Sequence, residues 1–149
     1  LRDPLSAESA MNRTMTAIED AGVSATLWNY CADHTPERGD GWNGEDLSLY
    51  SRSSREPDHG RAVYAVARPR AVAVAGTLIA QRFEPGVRRF TLTVRPDPAV
   101  RAPTTFFVPE LHYPDGGVVT VTAGSVQGKE WIHGPAAEQT LTLVPSPAR

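Results

Sequence analysis

Between Leu27 and Ser48 the sequence reads LWNYCADHTPERGDGWNGEDLS, a stretch too polar for a core element that still holds two of the three tryptophans, Trp28 and Trp42. A tryptophan offers a flat apolar face that can carry the C–H face of a pyranose, while nearby carboxylates and amides bond its hydroxyls. Trp28, Asn29, Asp40, Trp42, Asn43 and Glu45 supply that combination and form the candidate sugar-binding set. Plainer roles compete for the same residues: strand-end packing for Trp28, pinning of the loop for Trp42, and support for Asn29 and Tyr30, since alternation turns Asn29 away from Trp28. Asp40, Glu45 and Asp46 invite comparison with a catalytic carboxylate pair. Adjacent carboxylates in a Gly-rich loop are more often solvated, brace the loop, or cap a helix, here one starting at EDLS. No catalytic residue is therefore assigned within the chain.

Cys31, Asp33 and His34 have no distant second pair of ligands, so no metal is expected there, and adjacency alone does not make Cys31 and His34 a nucleophile and its base. Gly39, Gly41 and Gly44 suit positive φ in a tight loop and match no phosphate-binding pattern. No cofactor is expected. His59, His112 and His133 are isolated along the chain and read as surface or hydrogen-bonded structural residues.

The loop needs elements on either side to hold it. Leu5 to Ala21 spaces Ala7, Ala10, Met11, Thr14, Met15, Ile18 and Ala21 along one helical face, with Ser6 as a cap and Gly22 as the stop. VSATLWNY follows, uncharged and suited to a strand buried on both faces of a parallel sheet. Its C-terminal end, where Trp28 sits, is where α/β folds place their ligands. Such a strand needs parallel neighbours that the rest of the chain does not obviously supply. LSLYSR reads as a short helix or turn, and the run from His59 to Pro69 as a helix, with Ala62, Val63, Val66 and Ala67 at helical spacing and Pro69 ending it. Beyond it the pattern changes to short alternating strands. EPGV and PDGG mark hairpin turns, the second between TTFFVPELHY and VVTVTAG, and KEWIHG and EQTLTLVP add two further strands. Trp131, Phe106, Phe107 and Tyr113 are candidate core or sheet-face residues.

The expected fold class is thus α/β plus all-β: residues 1–69 as the end of an α/β body and 70–149 as an antiparallel β-sandwich. With 149 residues, 40% hydrophobic and 21% charged, the chain can bury a core in one or two small domains. A net charge of -2 with scattered arginines argues against nucleic acid and anionic membranes as partners. Its single cysteine excludes an internal disulfide. The longest apolar run, RAVAVAGTLIA, is too short to span a bilayer, so a soluble chain is expected, with its compartment left open. Leu1 is followed by neither a basic n-region nor an apolar h-region, as in a trimmed piece of a longer protein.

TLWNY followed by GDGWNGEDLS resembles the last barrel strand and loop of the family 5 glycoside hydrolases of the endoglycoceramidase and steryl glucosidase type. The stretch from Gly60 to Thr77, with VYAVARPRAVAVAGT as its greater part, looks like the final barrel helix and the crossing into that family's C-terminal sandwich, although Arg70 stands where the family usually has an aromatic. FVPELHYPDGG is similar to a hairpin of that sandwich. The resemblance implies the last helix-strand-helix portion of a (β/α)8 TIM barrel in 1–69, belonging to a retaining β-glycosidase. Its substrate would be a glycolipid or other β-glycoside: glucosylceramide, an oligoglycosylceramide or a steryl glucoside. Its two catalytic glutamates would lie on barrel strands upstream of Leu1, leaving this chain a substrate wall and a sandwich, partnered by the remainder of the barrel. The competing class is a non-catalytic accessory β-sandwich that binds carbohydrate or lipid.

Overall fold

The computed structural model describes residues 4–55 and 59–147. The chain divides into two compact units, Leu1–Met15 with Val23–Val66, and Thr16–Gly22 with Ala67–Arg149. Among the described residues no helix is long and apolar enough to cross a membrane.

Helix α1 runs over Pro4–Ala21. Proline is tolerated at a first helical position because its missing N–H would have no intrahelical acceptor there. The helix therefore starts two residues before Ser6, which lies inside the first turn and not at the cap. At the other end Gly22 takes φ +63° and its N–H donates to the Glu19 carbonyl at 3.1 Å, the left-handed stop expected of it. The half-buried face holds Met11, Met15 and Ile18, whereas Ala7, Ala10, Thr14 and Ala21 stay exposed.

The buried parallel strand expected over Val23–Tyr30 is not formed. No strand pairing is present there, and Val23, Leu27, Trp28 and Tyr30 are all exposed. The physical reason is that no described strand lies alongside to take up both edges of the backbone. What ordering exists comes from the returning loop, where Leu49 N–H donates to the Asn29 carbonyl at 2.9 Å and Cys31 N–H to Ser48 Oγ at 2.9 Å. EDLS forms no helix, LSLYSR contains a turn and a bridge, and the helix expected between His59 and Pro69 is reduced to α2, Val63–Val66.

Among the described residues the second unit carries eight strands in two antiparallel four-stranded sheets. They are β1 (Arg70–Ala73), β2 (Gly76–Glu84), β3 (Arg89–Pro96), β4 (Thr104–Phe107), β5 (Gly117–Val121), β6 (Ser125–Gln127), β7 (Glu130–Ile132) and β8 (Gln139–Pro145). One sheet has the order β1-β4-β7-β6 and the other β2-β3-β8-β5. Strict alternation decides which side faces in. Phe90, Leu92 and Val94 of β3 pair with Leu143, Leu141 and Gln139 of β8, and all six are buried. From the opposite sheet Phe106 and Trp131 join the same core, giving the sandwich its two facing apolar sides.

The run AVAVAGTLIA is not one strand: it breaks at Val74 and Ala75, just before Gly76, with β1 in one sheet and β2 in the other. Gly76 sits at φ +142°, and a Cβ there would lie 2.2 Å from the Arg95 carbonyl oxygen, so only glycine permits this corner. Nor is PDGG a hairpin turn, because β4 and β5 belong to different sheets and the segment between them crosses from one to the other. Tyr113 anchors that crossing: it is buried and its Oη donates to the Arg88 carbonyl at 2.8 Å. Burial pushes its phenol up to about 12. The hairpin expected at EPGV is present between β2 and β3. Register breaks occur in β1 between Ala71 and Ala73 and in β2 between Leu78 and Ala80.

The last turn of α1 is held to this unit by charge. Glu19 Oε2 accepts from Arg68 Nη1 at 2.9 Å and from Phe83 N–H at 3.2 Å, and both charged side chains are nearly fully buried. The Arg68 guanidinium also lies 5.6 Å from the Phe83 ring centre. Weakening a buried ion pair from one side leaves the other charge poorly compensated. Glu19→Gln is expected to cost about 2 kcal/mol of stability, measured by chemical denaturation, while Asp20→Asn, which alters an exposed pair with Arg82, should change it little.

Candidate functional site

The loop after Trp28 is built from nested turns. Gly39 N–H returns to the Thr35 carbonyl at 2.8 Å, Asp40 N–H to the Glu45 carbonyl at 2.8 Å, and Glu45 N–H to the Trp42 carbonyl at 3.1 Å. Trp42 is thereby carried on a tight tip formed by residues 40–45. A Cβ on Gly39 would stand 2.3 Å from the Glu45 carbonyl oxygen that closes this tip. Trp28 and Trp42 meet there, ring centres 6.5 Å apart and planes at 67°, in an edge-to-face pair. Both remain largely open to solvent, at 64% and 53% exposure. Packing alone does not account for two tryptophans held together and left uncovered. The Trp28–Asn29 peptide is cis.

Beneath the pair lies a polar network. Asp40 is buried; its Oδ2 accepts from Asn29 Nδ2 at 3.2 Å and from Leu47 N–H at 3.0 Å, and its Oδ1 from Ser48 N–H at 3.2 Å. Asp46 Oδ1 lies 2.8 Å from His34 Nε2 and 2.7 Å from Arg61 Nη1, and Arg61 Nη1 also donates to the Ser48 carbonyl at 3.0 Å. His34 is buried, with no hydrogen-bond partner at Nδ1. His34 Nε2 also lies 3.1 Å from Arg61 Nη1; the Asp46 carboxylate at 2.8 Å can only accept, and the proton is assigned to Nε2 on that ground.

These contacts sort the candidates. Asp40 faces inward and its oxygens are taken by the loop's own donors. Asn43 is exposed at the tip, with φ +52°. Asn29 and Glu45 are half-buried, and Asn29 Oδ1 and Glu45 Oε2 are shielded from solvent without a hydrogen-bond partner. Cys31 Sγ lies 3.2 Å from Asp33 Oδ1 and 3.3 Å from the Asp40 carbonyl oxygen, two acceptors for its one proton. The Asp33 bond and desolvation push the thiol up, away from thiolate chemistry, and His34 is turned to Asp46 instead. That Cys31 bond also lowers the Asp33 carboxyl, assisted by Arg38, with which Asp33 forms an ion pair. Among the described residues no group of His, Cys, Asp and Glu is arranged to hold a metal ion. Sequence reading missed the joint role of His34, Asp46 and Arg61, because they lie far apart along the chain and only the fold brings them together.

Desolvation pushes the Asp46 carboxyl up, but the bonds from His34 and Arg61 outweigh it and hold the group below the usual aspartate range. A carboxyl lowered by folding stabilises above its unfolded value, near pH 4, and that contribution is lost as pH falls through the lower folded value. Tryptophan emission from the loop should therefore change in an acid limb below about pH 4. Asp46→Asn should remove that limb; an unaltered acid titration in the variant would show that this carboxyl does not hold the loop.

The sandwich decides the affiliation. A family model described as the glycoside hydrolase family 5 C-terminal domain matches residues 68–148, the span that holds all eight strands. The chain belongs to this family. As a glycoside hydrolase family 5 C-terminal domain protein it is similar to a glucosylceramidase from Rhizopus delemar, with 35% identity over 121 residues, or 69% of this chain and 18% of the relative. The fold superimposes on sterylglucosidase 1 of Cryptococcus neoformans with a TM-score of 0.84 and 26% identity, covering 93% of this chain and 24% of that one. Endo-glycoceramidase II from a Rhodococcus species shares the fold, with a TM-score of 0.63 at 23% identity, over 94% of this chain and 30% of the other. The type suggested by the tryptophan loop is thus the type to which the family 5 sandwich is related. The chain spans less than a third of each of these relatives.

Proposed function

We propose that this chain is the C-terminal portion of a retaining β-glycosidase that hydrolyses glycolipids, with glucosylceramide, oligoglycosylceramides and steryl glucosides as the candidate substrates. The observation that carries the reading is the exposed, edge-to-face Trp28–Trp42 pair, in a chain whose relatives are a glucosylceramidase, a sterylglucosidase and an endo-glycoceramidase. In this reading residues 1–69 complete a (β/α)8 barrel whose other strands flank Val23–Tyr30 and supply the pairing that segment lacks. Residues 70–149 are the sandwich attached to the barrel.

Trp28 and Trp42 are the platform for the sugar. Asn43, exposed at the tip, is suited to the hydroxyls of a pyranose, and Asn29 and Glu45, whose Oδ1 and Oε2 are shielded from solvent, stand behind the platform. Asp40 belongs to this set as the brace that holds it together. A retaining mechanism needs two carboxyl groups about 5 to 5.5 Å apart beside the scissile bond. Asp40 is occupied by loop amides and Asp46 by Arg61 and His34, so the nucleophile and the acid/base are assigned to the rest of the barrel. The purified 149-residue chain should leave a fluorescent glucosylceramide and a steryl glucoside intact, whereas a product extended to a whole barrel should cleave at least one. Turnover by the short chain, or none by the extended one, would overturn the proposal.

A further inference from the structure

Each tryptophan of the pair belongs to a different piece of backbone: Trp28 lies in the Val23–Tyr30 segment, and Trp42 sits on the tip that begins at Asp40. Little apolar packing holds them, since both rings are open to solvent. Their relative placement must therefore come from the polar groups that tie the two pieces. Two bonds of the returning loop do so, Leu49 N–H to the Asn29 carbonyl and Cys31 N–H to Ser48 Oγ, and the Asp40 side chain adds a further tie. Asp40 Oδ2 accepts from Asn29, the residue after Trp28, and also from Leu47 N–H, while Oδ1 accepts from Ser48 N–H.

We propose that Asp40 is a positioning residue, whose buried carboxylate sets the distance and angle between Trp28 and Trp42 by tying Asn29 to the returning backbone at Leu47 and Ser48. Aspartate suits this task because its ionised carboxylate only accepts, and all three of its partners donate. An asparagine would present a donor to one of them. The returning backbone is also held at Asp46, which pairs with His34 and Arg61, and at the Ser48 carbonyl, which accepts from Arg61. The spectroscopic consequence holds whatever the pair binds; the kinetic consequence rests on the sugar-platform reading above.

Two indoles 6.5 Å apart couple their transitions and produce a paired band in the far-ultraviolet circular dichroism, assignable in the 149-residue chain by its loss in Trp42→Phe. Asp40→Ala should remove most of this band while the melting of the sandwich is unchanged. Asn29→Leu, which removes the bond from Asp40 to the Trp28 segment and leaves the loop amides capped, should weaken it as well. If Asp40→Ala does not fold, Asn29→Leu decides. Retention of the full band in Asp40→Ala, or in Asn29→Leu, overturns the proposal, the second because Asp40 would then only cap its own loop. In the whole enzyme Asp40→Asn should raise KM about tenfold with a smaller change in kcat, as displaced binding groups do. A lost band with unchanged KM and kcat would leave Asp40 as the positioning residue and remove the sugar-platform reading instead.

Discussion

Trp131→Ala should lower the stability of the sandwich by about 4 kcal/mol, the range observed when a large buried aromatic is truncated. Trp131 is wholly buried on β7, an interior strand of its sheet, and packs in the cluster that contains Phe90, Leu92, Phe106, Leu141 and Leu143. Its indole N–H donates to the Ala123 carbonyl at 3.1 Å, and its ring centre lies 4.3 Å from that of His133. Truncation therefore opens a cavity, strips the Ala123 carbonyl of this donor and loosens His133, which bonds Thr104 and Gln139. For a unit of this size such a loss corresponds to a fall in Tm of roughly 20 °C, readable by circular dichroism at the strand band. Trp131→Phe keeps part of the contact area and should fall between. A change in Tm of only a few degrees in the alanine variant would mean that the two sheets do not depend on this ring.

On the proposed glycosidase reading, Trp28→Ala should reduce kcat/KM of the whole protein on a glucosylceramide or steryl glucoside by about 100-fold, the scale expected when a group that orients the reacting sugar is removed. The ring is 64% exposed, so the substitution removes little packing and the folded state should be preserved. Trp28→Tyr keeps a smaller aromatic face and should recover part of the activity. Stability measured beside the kinetics separates the two possible origins of a loss. If kcat/KM stays within about twofold while the fold is intact, Trp28 is strand-end packing and the sugar lies elsewhere.

The parts of the fold that were legible in the sequence are those in which neighbours along the chain carry the signal. Phe90, Leu92 and Val94, like Leu141 and Leu143, alternate because each strand has one inward face, and EPGV closes a local hairpin. Where the partner is distant, the reading failed or stopped short. PDGG has the chemistry of a hairpin turn, but whether the strands on either side pair is decided by β1, β7 and β8, which turn residues cannot reveal. Val23–Tyr30 has the composition of a buried strand, and composition does not provide its neighbours. Within the site Trp28 and Trp42 stood out by residue type, whereas the duty of Asp40 was not visible: its partners at positions 29, 47 and 48 converge only in space. For Asp46 the local context leaves solvation, bracing of the loop and a helix cap all open, and the fold pairs it with His34 and Arg61.

The register breaks in β1 and β2 bear on how the molecule avoids its own kind. Both strands are sheet edges, with Val72, Leu78 and Ile79 exposed along them. A straight apolar edge displays a regular row of unpaired amides and carbonyls, which a second molecule can extend into a shared sheet. A bulge interrupts the spacing of that row and twists the edge, so a foreign strand cannot stay in register along it. The two irregularities, one on each sheet, therefore guard the solubility of a surface whose side chains alone would favour association.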